Sequence, residues 1–260
     1  WHNNHHHFPG SARQGFYWWE VDLSFYALKL LELFRIVWDV QGVDDLAYHD
    51  WYLVNSNHRG AVDIFGLQHV LNRRIPLLKF FIKQQLLYVP IMGLAWWALD
   101  FPFMKRHTAA ELKRNPALRE QDRETTRRAC EKFALVPTSV MNFAEGTRFT
   151  PAKHAAQGSP YRNLLKPRTG ALALALHAMG RQFNALLDVT LAYPDGVPTL
   201  WQFMCGRATR VVMRVRQLPI PIAFCDGDYE GDPAFRDALH AWLHGLWTEK
   251  DLELDKLLHT

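Results

Sequence analysis

Apolar and polar positions follow two rhythms along this chain, and the places where the rhythm changes mark its elements. From Phe16 to Trp38 the chain is largely apolar, with Asp22, Lys29, Glu32 and Arg35 recurring at about helical spacing, so a narrow polar stripe runs along a greasy amphipathic helix. A core helix and an interfacial helix both fit, and Trp18, Trp19 and Trp38 near its ends resemble headgroup anchors. Trp51 to Asn55 is short and β-prone and Asp63 to Leu71 is a helix candidate, which makes Ser56 to Val62 a strand-to-helix loop. A strand over Leu77 to Ile82 follows, then an apolar helix up to Leu99 broken by Pro90 and Gly93, then the short run Phe101 to Met104. Glu120 to Leu135 reads as a charged amphipathic helix, and Thr138 to Phe143 as a strand running directly into Glu145.

Arg148 to Arg168 is polar and rich in Pro, Gly and Lys/Arg, the clearest long loop, and long loops inside compact domains tend to carry function. The pattern then predicts a helix over Ala171 to Met179, a strand over Leu187 to Tyr193, a turn at Pro194-Asp195-Gly196, a strand over Thr209 to Val215 and an amphipathic helix from Asp232 onward. Strands alternating with helices predict an α/β fold: one domain with a mostly parallel mixed central sheet flanked by helices, and ligands at the carboxyl ends of the strands. The organisation expected is a disordered His-rich tail over 1–15, the amphipathic helix over 16–40 and the folded domain over 41–260.

Composition narrows the setting. Three cysteines, Cys130, Cys205 and Cys225, with no CxxC pair, argue against a disulfide framework or a zinc site and predict a reducing, cytoplasmic-facing compartment. A net charge of +4 suits nucleic acid, anionic lipid or a phosphorylated small molecule about equally. Ten Trp tilt that balance toward a membrane surface, because the indole is apolar in body and wet at its N–H. No stretch reaches the roughly 20 apolar residues that a spanning helix needs, the longest uncharged run being Gln84 to Leu99, so the chain as given is expected to lie on a membrane. It begins at Trp1 without a Met, which leaves room for a preceding segment such as a transmembrane anchor.

Two constellations carry chemistry. The first is Asn57-His58-Arg59-Gly60-Ala61-Val62-Asp63, a His followed five positions later by an Asp. Within a helix that separation turns the side chains about 140° apart at ~100° per residue, so they meet only if His58 lies in the loop and Asp63 in the first helical turn. Gly60 supplies the bend; the competing reading makes Asp63 no more than an N-cap. If they meet, the carboxylate fixes the imidazole tautomer and leaves the other nitrogen to take a proton from a hydroxyl. No GxSxG elbow is present, so the hydroxyl is a substrate's. The second is Glu145-Gly146-Thr147-Arg148 at a strand end, where Gly146 lets the backbone approach an anion, Thr147 adds a hydroxyl donor, Arg148 offers a fork matched to phosphate and Glu145 orients Arg148 or the acceptor. An ordinary Gly-containing turn with an exposed ion pair is the bland alternative.

In this order and at these element ends the two motifs resemble the glycerolipid acyltransferase superfamily that includes 1-acylglycerol-3-phosphate acyltransferase, of which His-x4-Asp and Glu-Gly-Thr-Arg are the first and third blocks. Its second block is similar to Phe101-Pro102-Phe103-Met104-Lys105-Arg106, and its fourth to Val189-Thr190-Leu191-Ala192-Tyr193-Pro194. Lys83 to Leu86 through Pro90 and Gly93, with Glu124 to Arg128 and Cys130 to Phe133, look more narrowly like the bacterial YihG-type branch. Gly60 stands where the family often has Ser, and Ala144 where Pro commonly precedes Glu. The resemblance implies an acyltransferase domain over 41–260 that moves an acyl group from acyl-CoA or acyl-ACP to a lysophospholipid hydroxyl in a ternary complex, with no cofactor and no metal. It implies His58 as base and Asp63 as its partner, with Asn57, Lys105, Arg106, Glu145, Gly146, Thr147 and Arg148 holding the phosphate-bearing acceptor at the cytoplasmic face of a bacterial inner membrane. A thioesterase or lysophospholipase and a non-catalytic lipid-binding scaffold are the competing classes. Nucleic acid is not expected as a partner, since the basic residues are scattered and no recognised module appears.

Overall fold

Two-residue periodicity builds the centre of the molecule. In the strand β2 (Tyr52–Ser56), Tyr52 and Val54 enter the core on one face of the sheet and Leu53 enters it on the other. The computed structural model describes residues 36–80, 82–88, 92–98, 101, 103–104, 114, 124, 133, 135–204, 210–225, 227–229 and 231–259. Lys105, Arg106, the helix expected before residue 36 and most of the one expected over Glu120 to Leu135 lie outside the described residues.

The main sheet has six strands: β1 (Val37–Gln41), β2, β3 (Leu78–Phe80), β6 (Ser139–Phe143), β7 (Ala185–Ala192) and β8 (Arg210–Leu218). They lie in the order β1-β8-β7-β2-β6-β3, and every pairing is parallel except β7 with β8. The short strands β4 (Ile82–Lys83) and β5 (Phe103–Met104) pair apart from it. Helix α1 (Asp63–Leu71) covers one face through Leu67, Val70 and Leu71. Helices α4 (Gly170–Met179) and α6 (Pro233–Leu258) cover the other through Leu172, Leu176, Leu239, Leu243 and Trp247. The expected single α/β domain with a mostly parallel mixed sheet is what forms.

Because β2, β3, β6 and β7 share a direction, their carboxyl ends emerge along one edge. In register, Ser56 faces Phe143 on one side and Val189 on the other, so the loop after β2 is flanked by the end of β6 and by the last turn of β7.

Several elements depart from the sequence pattern. The helix expected over 16–40 does not extend to its end: Val37–Gln41 is a strand paired with β8, where Asp39 meets Arg214 at 2.8 Å and Arg210 at 2.9 Å. A long-range partner overrides the helical period there, and the two guanidiniums, Arg214 first, hold the Asp39 carboxyl below its usual range. The long loop after Arg148 contains the helix α3 (Pro151–Gln157), which Thr150 caps by accepting from the Lys153 N–H and Gly158 ends at φ 52°. The strand expected over Leu77 to Ile82 is split between β3 and β4. The apolar stretch up to Leu99 forms a 3-10 turn (Gln84–Tyr88) and helix α2 (Met92–Ala98), and the five-residue α5 (Leu200–Met204) follows β7. At the start of α6, Asp232 accepts from the Ala234 and Phe235 N–H groups as its cap.

A buried ion pair ties α6 to the sheet. Asp188 on β7 is fully buried and pairs with Lys250 at 2.9 Å and Arg216 at 2.6 Å; Lys250, fully buried too, also donates to the Val189 carbonyl. Burial pulls the Lys250 ammonium pKa down while Asp188 pulls it back up. Lys250→Ala therefore leaves Asp188 with Arg216 alone and is expected to cost about 3 kcal/mol, the lower range for breaking a buried pair, read as a shift in the urea midpoint. A midpoint unchanged from the parent chain contradicts this.

Candidate active site

The loop between β2 and α1 is held from three directions, and its conformation brings His58 to Asp63. His58 Nδ1 lies 2.8 Å from Asp63 Oδ2. The same oxygen accepts from the Arg59 N–H at 2.6 Å and the Gly60 N–H at 2.9 Å, while Oδ1 accepts from the Tyr193 hydroxyl at 2.8 Å. Asp63 is wholly buried, and it is the first residue of α1, after Val62 at the N-cap, so the cap reading fails. It sits at the positive end of the helix dipole and its two oxygens meet four polar partners, which offsets the water a buried carboxyl group gives up.

His58 itself is pinned by its backbone. Its N–H donates to Glu145 Oε1 at 2.8 Å, its carbonyl accepts from the Phe149 N–H at 2.8 Å, and its ring stacks on Phe143 with centroids 4.1 Å apart. The imidazole is 17% exposed, and with Nδ1 engaged by Asp63 the nitrogen left for chemistry is Nε2. Gly60 does not provide its bend through unusual backbone angles. A Cβ there would come within 2.7 Å of Val197 Cγ1, so the glycine makes room for the chain that leaves β7, where the family often has Ser.

Glu145 is buried and accepts from the Leu165 N–H at 3.0 Å with its second oxygen, so its carboxylate spans two loops and does not face Arg148. Burial raises its pKa, against the two N–H bonds and the nearby Arg59 charge. Asn57, also buried, exchanges two bonds with the backbone of Leu191 at 2.8 and 2.9 Å, tying β2 to β7. Both residues thus brace the site from beneath and do not line its surface. Gly146 turns at φ 66°, and a Cβ there would lie 3.2 Å from the Arg168 side chain, which crosses the turn. Thr147 is half-buried and Arg148 exposed; Lys153 donates to the Thr147 hydroxyl at 2.7 Å and the Arg148 carbonyl at 3.1 Å.

Arg59, Tyr193, Lys153 and Arg168 join the site without a role that the two motifs would predict for them. Arg59 stacks on Phe149 at 4.7 Å, and burial lowers its pKa while Glu145 and Asp63 raise it, so it is the cation balancing the two buried acids. Burial, then the Asp63 charge, lifts the Tyr193 phenol well above its usual range and keeps it a donor. For Lys153 a signal was present: Thr150-Pro151 is a helix start that places the third residue of the turn back over Thr147. Among the described residues no group of three or more His, Cys, Asp or Glu could hold a metal ion, and no helix is long and apolar enough to cross a membrane.

A carboxylate–imidazole pair at the strand ends of a mostly parallel sheet, beside an arginine-bearing turn, is an arrangement chemically able to take a proton from a hydroxyl. The family model described as Acyltransferase matches residues 38–194, more than half of the chain, a span that holds His58, Asp63, the turn after β6 and Tyr193. The chain belongs to that acyltransferase family. It is 30% identical over 213 residues to 1-acyl-sn-glycerol-3-phosphate acyltransferase delta of Homo sapiens, covering 76% of this chain and 51% of that protein. To the gamma protein of Mus musculus it is 29% identical over 224 residues, covering 74% and 54%. The chain thus spans about half the length of these relatives. The crystal structure of the 1-acyl-sn-glycerophosphate acyltransferase PlsC from Thermotoga maritima shares the fold, with a TM-score of 0.53 at 18% identity over 89% of this chain and 81% of that one.

Tyr193 is buried and its hydroxyl donates to Asp63, so its expected influence on a reaction at His58 runs through that carboxylate. Tyr193→Phe is expected to lower kcat roughly tenfold, the kinetic equivalent of about 1.4 kcal/mol, with KM for both substrates within about twofold. Steady-state kinetics beside a thermal unfolding scan checks this; an unchanged kcat removes Tyr193 from the positioning of Asp63.

Proposed function

We propose that this chain transfers the acyl group of an acyl thioester, acyl-CoA or acyl-ACP, to the free hydroxyl of a lysophospholipid such as 1-acylglycerol-3-phosphate or lysophosphatidylglycerol. The observation that carries the reading is the 2.8 Å contact of His58 Nδ1 with buried Asp63, which leaves Nε2 as the accessible base. Nε2 takes the proton of the acceptor hydroxyl as its oxygen attacks the thioester carbonyl carbon. The C–S bond breaks, the sulfur leaves with the bonding pair, and the imidazolium returns the proton to it, so products are a diacyl lipid and a thiol. No acyl-enzyme and no metal enter these steps.

The acceptor's phosphate lies against the turn after β6, with Arg148 as the bidentate partner and Gly146 and Thr147 allowing its approach. Lys105 and Arg106 remain phosphate ligands in this reading on the strength of the sequence resemblance, while Asn57 and Glu145 contribute by bracing the loops. The mammalian relatives, both named as acyltransferases of 1-acyl-sn-glycerol-3-phosphate, support a phosphate-bearing acceptor. A net charge of +4 and ten Trp support work at an anionic membrane surface, which we assign to the cytoplasmic face of the bacterial inner membrane.

His58→Ala is expected to lower transfer by about 10²–10⁴-fold with the chain still folded, because a half-buried loop base serves the transition state more than the core. The assay follows radiolabelled acyl-CoA with and without lysophosphatidate. Diacyl product that needs both substrates supports the reading. Free fatty acid released at the same rate without acceptor would make the site a hydrolase, and activity of the variant within threefold of the parent would remove His58 as base.

A further inference from the structure

His240, His244, Trp247, Asp251 and Asp255 recur on α6 three or four residues apart, which sets them along one stripe of the helix. Each of them bonds the segment between α3 and α4. His240 lies 3.0 Å from the Thr169 hydroxyl, His244 lies 2.6 Å from the Tyr161 hydroxyl, and Asp255 accepts from the Arg162 guanidinium at 3.0 Å. Helix α6 lies beyond residues 38–194, the span that matches the family model, so these contacts come from outside both motifs.

Asp251 and Trp247 hold the backbone of that segment. Asp251 receives two successive N–H groups on its two oxygens, Arg162 at 2.8 Å and Asn163 at 2.7 Å, and the buried Trp247 donates its indole N–H to the Leu165 carbonyl at 3.0 Å. The N–H of the same Leu165 donates to Glu145 Oε2, and Glu145 Oε1 accepts from the His58 N–H. A run of bonds therefore joins α6 to the loop of the base: Asp251 and Trp247 fix residues 162–165, Leu165 fixes one oxygen of Glu145, and the other oxygen fixes His58.

From Gly146 to Leu187 the chain holds no Asp or Glu, so this segment has no carboxylate of its own to receive its N–H groups, and α6 supplies one. Asp251 is half-buried, and its charge reaches Arg59, the residue after His58: burial lowers the Arg59 pKa, while Glu145, Asp63 and Asp251 raise it. We infer that Asp251 is a positioning residue for the reaction at His58, acting through the 162–165 backbone and Glu145, with Trp247 as its companion one turn earlier on α6. The inference rests on the proposed role of His58 as base for its chemistry and on the hydrogen bonds alone for its geometry. Its consequence is specific: losing Asp251 slows the chemical step in molecules that are folded, whereas losing a merely structural contact reduces how many molecules are folded.

The test is single-turnover acyl transfer by the full chain carrying Asp251→Asn, with acyl-CoA and lysophosphatidate, because the amplitude reports the competent fraction and the rate constant reports its chemistry. An amide of the same shape offers one acceptor atom to two N–H donors. The rate constant is expected to fall roughly ten- to a hundredfold, the range for a small displacement of a reacting group, with the amplitude kept. Trp247→Phe, which keeps a ring and removes the N–H to Leu165, is expected to act in the same direction. Asp255 meets Arg162 and Asn163 through their side chains only, so Asp255→Asn is expected to stay within about twofold. Backbone amide exchange at His58 and Leu165 is expected to quicken in Asp251→Asn and not in Asp255→Asn. A rate constant unchanged in Asp251→Asn, with or without a lower amplitude, or an equal loss in Asp255→Asn overturns the inference. If the parent chain transfers no acyl group, the proposed reaction fails and the exchange result decides the coupling: faster exchange at His58 in Asp251→Asn upholds it, and exchange as slow as in the parent overturns it.

Discussion

Asp63 is the point on which the site turns. A wholly buried carboxylate is tolerable only if its lone pairs are met, and here four donors meet them: the His58 ring, the Arg59 and Gly60 N–H groups and the Tyr193 hydroxyl. The donors come from the loop after β2 and from the end of β7, so satisfying one charge fixes the loop, the ring orientation and the distance between two strand ends. Glu145 repeats the device from β6, binding the N–H of His58 and of Leu165. Arg59, stacked on Phe149, is attracted by both acids and balances them while both stay buried.

This arrangement explains a division of labour within each motif. In the first motif Asn57 and Asp63 are buried braces and His58 is the group with an open nitrogen. In the second Glu145 is the brace and Arg148 is the exposed cation. The residues that hold and the residues that touch are neighbours in sequence because a strand end offers both: its last inward side chain joins the core, and the next ones stand clear of it. The parallel directions of β2, β3, β6 and β7 then set these ends side by side.

Much of this was legible from the order of residues. The strand-to-helix placement of His58 and Asp63, the strand leading into Glu145 and the α/β class follow from local periodicity, and the structure has them. What periodicity cannot reach is contact across long separations. Tyr193 lies 130 residues from Asp63, Glu145 lies 87 from His58, and Asn57 lies 134 from Leu191. Lys250 reads as one more charge on an amphipathic helix until Asp188, on another element, accounts for its burial. Likewise Val37–Gln41 becomes a strand because β8 offers a partner and two arginines, neither visible within the window in which a helix is read.

The most direct test of the account is Asp63→Asn in the full chain, followed by single-turnover acyl transfer and by the urea midpoint. An amide can accept through one atom only and turns a donor toward groups that are themselves donors, so the loop loses its anchor while α1 keeps an acceptable residue at its start. Transfer is expected to fall by about 10²-fold or more with the chain still folded. Transfer within threefold of the parent chain, with the His58 loop unchanged, would show that the buried carboxylate is not what prepares the base.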